Sequence, residues 1–395
     1  MWKIPLADLR LHADDHAAVL EVMASNWLTM GPKTQEFEAA FATALDADNP
    51  PFCFAVSNCT VGLHMAFAAL DLGPGDEVIV PSLTFVATAN AVLYTGATVV
   101  LADITSDQDL TLSVDDVLAK ITPRTRCVVP VHYAGQPCDM ARLKRECDRR
   151  GIALVEDVAH APLADAMLND ADPAQALGTI GALGCFSFFS NKNMTTGEGG
   201  MVVTRDPALA DKLRLLRSHG MTTLTLDRHR GHAYTYDVVA PGFNYRIDEL
   251  RAALGLSQLG RLPENNRRRG DVVEVYREKL VQIDGLLMPF ALRLPQGRTA
   301  PHILPVLLPV GVPRLAVQEK MKEAGIQTSV HYPPIHTFTH HRDSPLVCGE
   351  YLPRTDAVAP RLLTLPLYPE LSESDVELVV DSLQWAIAQV RAAAR

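Results

Sequence analysis

Short apolar runs alternate with amphipathic stretches through the first two thirds of the chain. Cys53–Val56 is one such run, and a helical pattern follows from about Thr60 to Leu70. Asp76–Pro81 reads as a strand, Ala87–Tyr94 as a helix and Thr98–Ala102 as a strand again. Cys127–His132 and Ile152–Glu156 are strand patterns flanking a helical one over Met140–Arg150, and Gly184–Phe189 and Gly200–Thr204 add two more strands. Strand–helix–strand alternation at this spacing predicts a mostly parallel, seven-stranded type of sheet with helices on both faces. Beyond Leu262-Pro263 the texture changes. Arg267–Ile283 is a long polar helical stretch, followed by strand Ile303–Leu308, helix Leu315–Ala324 and a closing helix over Asp375–Arg391. The pattern predicts a large α/β domain over residues 1–262, N-terminal segment included, and a smaller α+β domain over residues 263–395.

Composition narrows the function classes. Of 395 residues, 48% are hydrophobic and 21% charged, which excludes bulk disorder. Lys plus Arg is 36 and Asp plus Glu is 46, a net charge of −10, so a nucleic-acid partner held by bulk positive charge is not expected. Residues 1–15 carry Lys3, Asp8, Arg10, Asp14 and Asp15 with no apolar signal core. Val78–Ala102 lacks charge and is long enough to span a bilayer, but Pro81, Ser82, Thr84, Thr88 and Asn90 mark it as strand, loop, helix and strand. The seven cysteines show no CxxC pair or framework spacing, which argues for a reducing compartment. The expectation is a cytoplasmic protein without a membrane partner.

Parallel sheets bind ligands at the carboxyl ends of their strands. Three strand ends here carry candidate chemistry. Ser57–Gly62 places small polar residues at a helix start, where free amides can meet a phosphate, although Asn58 or Thr60 could equally be a plain helix cap. Leu154–His160 ends a buried strand on Asp157, where a carboxylate can hold a protonated ring nitrogen, or again cap a helix. Cys185–Gly200 runs from an apolar strand into a turn with one lysine, Lys192, then into a glycine-rich turn. The run before Lys192 is too apolar for a surface loop, so its amine is expected to be desolvated and nucleophilic.

In that order, Ser-x-x-Thr, Glu-Asp-x-Ala-His and Phe-Ser-Phe-x-x-x-Lys with Gly-Glu-Gly-Gly behind it resemble the DegT/StrS family of nucleotide-sugar aminotransferases. Trp27–Pro32, Pro81–Asn90, Val131–Gly135, Gly242–Arg246 and Ser329–His336 extend the resemblance over nearly the whole chain. The resemblance implies a type I fold of the pyridoxal 5′-phosphate (PLP) enzymes. It implies that Lys192 carries the cofactor and shuttles the substrate proton, and that Asp157 pairs with the pyridine nitrogen. It places Phe85 on the ring face, His160 near the ring hydroxyl, and Thr60, the Val61 amide and Ser187 at the phosphate. Cys59 stands in the phosphate loop where many relatives have Gly, and is small enough to keep the turn. Asn244 would reach the phosphate of a neighbouring subunit, which implies a homodimer with shared active sites. A branch of the family that dehydrates sugars has His in place of the lysine, so Lys192 favours transamination.

The reaction implied is amino transfer, with L-glutamate as donor, to a nucleotide-linked keto sugar. A cyclic polyol ketone is the alternative acceptor, and a non-catalytic PLP-fold protein an alternative role that intact Lys192 and Asp157 oppose. A nicotinamide enzyme is opposed by the absence of GxGxxG after the first strand. Candidate substrate contacts are Thr29, His331, Tyr332 and His336. Arg228 and His229, in a basic patch with His219, Arg230 and His232, either meet a diphosphate or lie in an ordinary exposed loop. Imidazoles at 331, 336, 340 and 341 invite a metal reading, but no Cys or carboxylate lies at ligand spacing and no metal is expected. Arg267–Arg269 reads as the solvated face of a helix.

Overall fold

The computed structural model describes residues 2–223, 235–293, 297–349 and 351–393. Its strands in chain order are β1 (Phe52–Val56), β2 (Glu77–Pro81), β3 (Thr98–Ala102), β4 (Thr125–Val128), β5 (Ala153–Asp157), β6 (Asp165–Ala166), β7 (Gln175–Ala176), β8 (Leu183–Ser187), β9 (Gly200–Thr204), β10 (Leu304–Leu307), β11 (Val347–Cys348) and β12 (Leu362–Leu365). The main sheet has the order β1-β9-β8-β5-β4-β2-β3-β11. Among the described strands of this sheet, β9 runs opposite to the others. The eighth strand, β11, is a two-residue addition from the C-terminal part of the chain, pairing parallel with β3. It was invisible in the sequence because two residues make no pattern.

Side chains alternate across each strand, so every apolar strand feeds two cores. In β2, Ile79 enters one core while Val78 and Val80 enter the other. In β5, Leu154 and Val155 divide the same way. The uncharged stretch over residues 78–102 resolves into β2, a helix over Ala87–Leu93 and β3. Among the described residues no helix is long and apolar enough to cross a membrane.

The expected division at residue 262 falls inside a helix, where the core changes. Glu249–Leu280 is one unbroken helix of 32 residues with Pro263 inside it. A mid-helix proline removes one ladder bond at a cost of ~3 kcal/mol, and packing at both ends offsets it. Leu259 and Leu262 belong to the sheet's core, and Val272, Tyr276 and Leu280 to a second core. The core therefore changes within the helix, between 262 and 272. That second core surrounds the antiparallel pair β10–β12 and the helices Arg314–Ala324 and Glu373–Ala393. It also contains Ile4, because Lys3 N–H donates to Gly325 O (2.9 Å) and Gln327 N–H to Ile4 O (3.0 Å). The first residues thus pack with the smaller unit, not the larger.

Arg267 and Arg268 pair with Glu264 on the exposed side of the long helix. Arg269 does not share that face. It is buried and donates from Nη1 to Leu367 O (2.8 Å) and His302 O (3.4 Å).

Candidate active site

The ends of β1, β5 and β8 open on one cleft of about 620 Å³. Lys192, Asp157, His160, Phe85, Thr60, Val61, Cys59, Ser187, His331 and Tyr332 all line it. Most of these residues follow strands of the same sheet, while His331 and Tyr332 come from the C-terminal part of the chain.

Asp157 ends β5 with little access to solvent. Its Oδ2 accepts from Thr88 Oγ1 (2.8 Å) and its Oδ1 from Ala159 N–H (3.1 Å). Burial pushes its pKa up, while those two donors, Lys192 and His132 pull it down. Behind it, fully buried Glu156 accepts from the amides of Gly178 (2.8 Å), Ile180 (2.8 Å) and Gly181 (2.7 Å) and faces His132 Nε2 (3.1 Å). These bonds fix the strand end that presents Asp157.

Lys192 follows β8 in the turn that its own amide closes onto Phe189 O (2.9 Å). Its amine lies on the cleft wall, and burial pulls its pKa down to about 8, with Asp157 and Cys59 opposing. A fraction of the amine is therefore neutral near pH 7, as a nucleophile or base requires. Burial likewise holds His160 well below its usual range. Ala134 N–H donates to His160 Nδ1 (3.2 Å), so the ring proton sits on Nε2 and is donated to Tyr332 Oη (2.8 Å). Tyr332 also packs its ring against Phe85, with centroids 5.5 Å apart.

The helix Cys59–Ala69 starts at the cleft, capped by Asn58. Val61 N–H is donated to Asn58 Oδ1 (3.0 Å), so the amide expected to face a phosphate is committed to the cap. The first-turn amides of Cys59 and Thr60 have no intrahelical acceptor. Gly200 lets this loop pass close over β9. A Cβ there would meet Phe186 O at 2.7 Å and the backbone of Asn58 and Cys59 at 2.9 Å.

Other expected contacts fall elsewhere. Thr29 is exposed and does not line the cleft. His336 also lies outside it, bonded to Ser82 Oγ (2.7 Å) and Asp356 Oδ1 (2.8 Å). His331 Nδ1 faces Thr364 Oγ1 (3.0 Å) and His341 Nε2 faces Asn90 Oδ1 (2.9 Å), so these imidazoles take separate partners. Asn244 is exposed and outside its own chain's cleft, although Ser57 N–H donates to its neighbour Tyr245 O (2.9 Å). Arg228 and His229 lie outside the described residues. Among the cleft residues without a role in the sequence reading are Thr88, Phe189 and His302. Thr88 stood in a motif without a stated partner, and His302 stood in none.

A buried carboxylate and a desolvated amine on one wall, with a helix start at one end, suit covalent chemistry on a carbonyl compound that carries a phosphate. Solved structures share this architecture. The aminotransferase TlmJ from Streptoalloteichus hindustanus is 36% identical with a TM-score of 0.86, covering 98% of this chain and all of that one. The PLP form of the putative sugar aminotransferase Spr1654 from Streptococcus pneumoniae is 27% identical with a TM-score of 0.87, covering 98% and 99%. The spore coat polysaccharide biosynthesis protein SpsC of Bacillus subtilis (strain 168) is 39% identical over 373 residues, 93% of this chain and 92% of that protein. Residues 10–384 match the DegT/DnrJ/EryC1/StrS aminotransferase family, and with the lysine, the carboxylate and the sheet in place, the chain belongs to that family.

Proposed function

We propose that this chain is a PLP-dependent sugar aminotransferase that passes an amino group from L-glutamate to a nucleotide-linked keto sugar. The observation that carries this reading is the Lys192 amine, pulled down to about 8 on the wall that also presents Asp157. The residues suit the cofactor's groups: an amine for the aldehyde, a carboxylate for the pyridine nitrogen, and a helix start with the Ser187 hydroxyl for the phosphate. When bound, PLP supplies an electron sink for the carbon being deprotonated.

The chain's own residues supply the rest. Ionised Asp157 holds the proton on the ring nitrogen, oriented by Thr88 and Ala159 N–H. Phe85 would stack on the ring, held by Tyr332 packed against it, and His160, bonded to Tyr332, would lie near the ring hydroxyl. The Cys59 and Thr60 amides anchor the phosphate. Lys192 Nζ would carry the proton between the substrate carbon and the carbon of the cofactor's aldehyde group in each half-reaction. His331, which burial pulls down to about 4, is neutral at working pH and lines the cleft as a contact for sugar hydroxyls.

The active site is shared between two copies of the chain. Asn244 is exposed and outside its own chain's cleft, and Phe85, Tyr94 and Phe189 leave 55%, 59% and 42% of their surfaces exposed around the cleft. Aromatic surface of that kind is what a second subunit covers.

Two half-reactions test the function. L-Glutamate alone should yield 2-oxoglutarate in an amount matching the enzyme, and continuous turnover should need a nucleotide-linked keto sugar. Turnover with free keto acids but with no keto sugar would overturn the acceptor assignment.

A further inference from the structure

His302 is 5% exposed and lies where the residues before β10 cross the cleft floor. Its Nε2 is 3.4 Å from Lys192 Nζ, at the long end of hydrogen-bond range. Its Nδ1 is 2.9 Å from Asn193 Oδ1.

The surrounding amides decide which nitrogen carries the proton. Asn193 Nδ2 donates to Asn266 Oδ1 (2.7 Å) and to Pro301 O (3.2 Å). Asn266 Nδ2 in turn donates to Pro162 O (3.0 Å). With both Asn193 protons directed at oxygens, its Oδ1 is left as an acceptor facing the imidazole. His302 Nδ1 therefore donates, and Nε2 presents a lone pair to Lys192. Asn193 and Asn266 are both buried, so reversing this chain of bonds would set oxygen against oxygen without water to relieve it.

We propose that His302 is the positioning residue for the reactive lysine: its Nε2 lone pair, fixed by the Asn266–Asn193 amide chain, accepts a proton bond from Lys192 Nζ and aims the amine into the cleft. A neutral amine that donates one N–H to the imidazole directs its own lone pair away from that ring. The same acceptor favours the ammonium, so it sets the amine's basicity along with its direction.

The titratable groups around the pair leave the imidazole neutral. Asp157 on β5 and Cys59 at the helix start face Lys192. Lys192, His160, Arg269 of the long helix and His331 face His302, and burial together with these neighbours holds His302 well below its usual range. Its lone pair is therefore available throughout the range in which Lys192 titrates.

The inference rests on Lys192 as the reactive amine of the proposed function, and the test reads that amine directly. The full chain is stripped of carbonyl ligands with hydroxylamine, then pulse-acetylated across a pH series. Acetylation at Lys192 is read by peptide mass spectrometry against exposed lysines of the same chain. In the parent the midpoint should lie near 8. His302→Asn keeps a donor for Asn193 but leaves nothing opposite Lys192, and its midpoint should fall by about half a pH unit. His302→Gln places an amide oxygen where Nε2 lies and should restore the parent value. Asn193→Ala, a second loss variant, removes the fixed tautomer and should shift the midpoint in the same direction as His302→Asn. Equal midpoints in parent, His302→Asn and Asn193→Ala chains, each shown folded by circular dichroism, would overturn the inference. If Lys192 fails to capture PLP yet titrates as described, the proposed function falls and this inference stands.

Discussion

Both oxygens of Asp157 accept a bond, one from a hydroxyl and one from an amide, and burial still raises its pKa. A cationic ring nitrogen placed beside it would compensate the buried charge. Asp157→Asn should keep the fold and lose most activity, because a neutral amide cannot hold the ring proton. Turnover like that of the parent would reduce Asp157 to a structural role. Thr88→Val removes one bond to a charged acceptor, worth about 1.5–3 kcal/mol, and steady-state kinetics should show kcat/KM down by roughly ten- to a hundred-fold. For Lys192 the sign is fixed by its lowered pKa. Below about 8 the ammonium lacks a lone pair, so PLP capture by the stripped chain should accelerate as pH rises through that value and then level off. A rate independent of pH would contradict the assignment. Asp157 and Lys192 were legible in the sequence because each follows an apolar strand, where parallel sheets collect ligand-facing residues. His302 was not legible. Its partners Lys192 and Asn193 lie 110 and 109 positions away, and no local pattern reports such a contact.

At the scale of elements, buried carboxylates tie the N-terminal helices to the long one. Glu249, in the first turn of Glu249–Leu280, accepts from the amides of Gly31 (2.8 Å), Lys33 (2.8 Å) and Thr34 (2.9 Å) and from Thr34 Oγ1 (2.7 Å). It thereby satisfies the open end of the helix Pro32–Leu45. Asp15 does the reverse, accepting from Ser257 Oγ (2.7 Å) and Gln258 Nε2 (3.0 Å) of the long helix and pairing with Arg261. Glu249→Ala leaves several amides unpaired and should cost about 2–4 kcal/mol of stability in urea unfolding. An unchanged midpoint would show that the cap is dispensable. The sequence marked most strands and helices because apolar alternation reports them. The change of texture after Pro263 marks a change of core within one helix, not a helix end, because packing on both sides holds the helix together across the proline. The sequence could not show that Arg269 turns inward while Arg267 and Arg268 face solvent, because neighbouring positions on a helix differ only through what packs against them.

For the whole molecule, the strand ends bring together what the sequence scattered, and a second copy completes the cleft in the proposed assembly. Lys192→Ala and Asn244→Ala chains, each impaired alone, should regain activity when mixed under conditions of subunit exchange, because one site then draws both intact residues. No recovery despite demonstrated exchange would place Asn244 in its own subunit's site or outside the chemistry. The most direct measurement of the central claim is reductive trapping. The full chain is incubated with PLP, reduced with borohydride, digested and mapped by mass spectrometry. The account requires the pyridoxyl group on Lys192, and no trapping in Lys192→Ala. A label on another lysine, or trapping undiminished in Lys192→Ala, would contradict it.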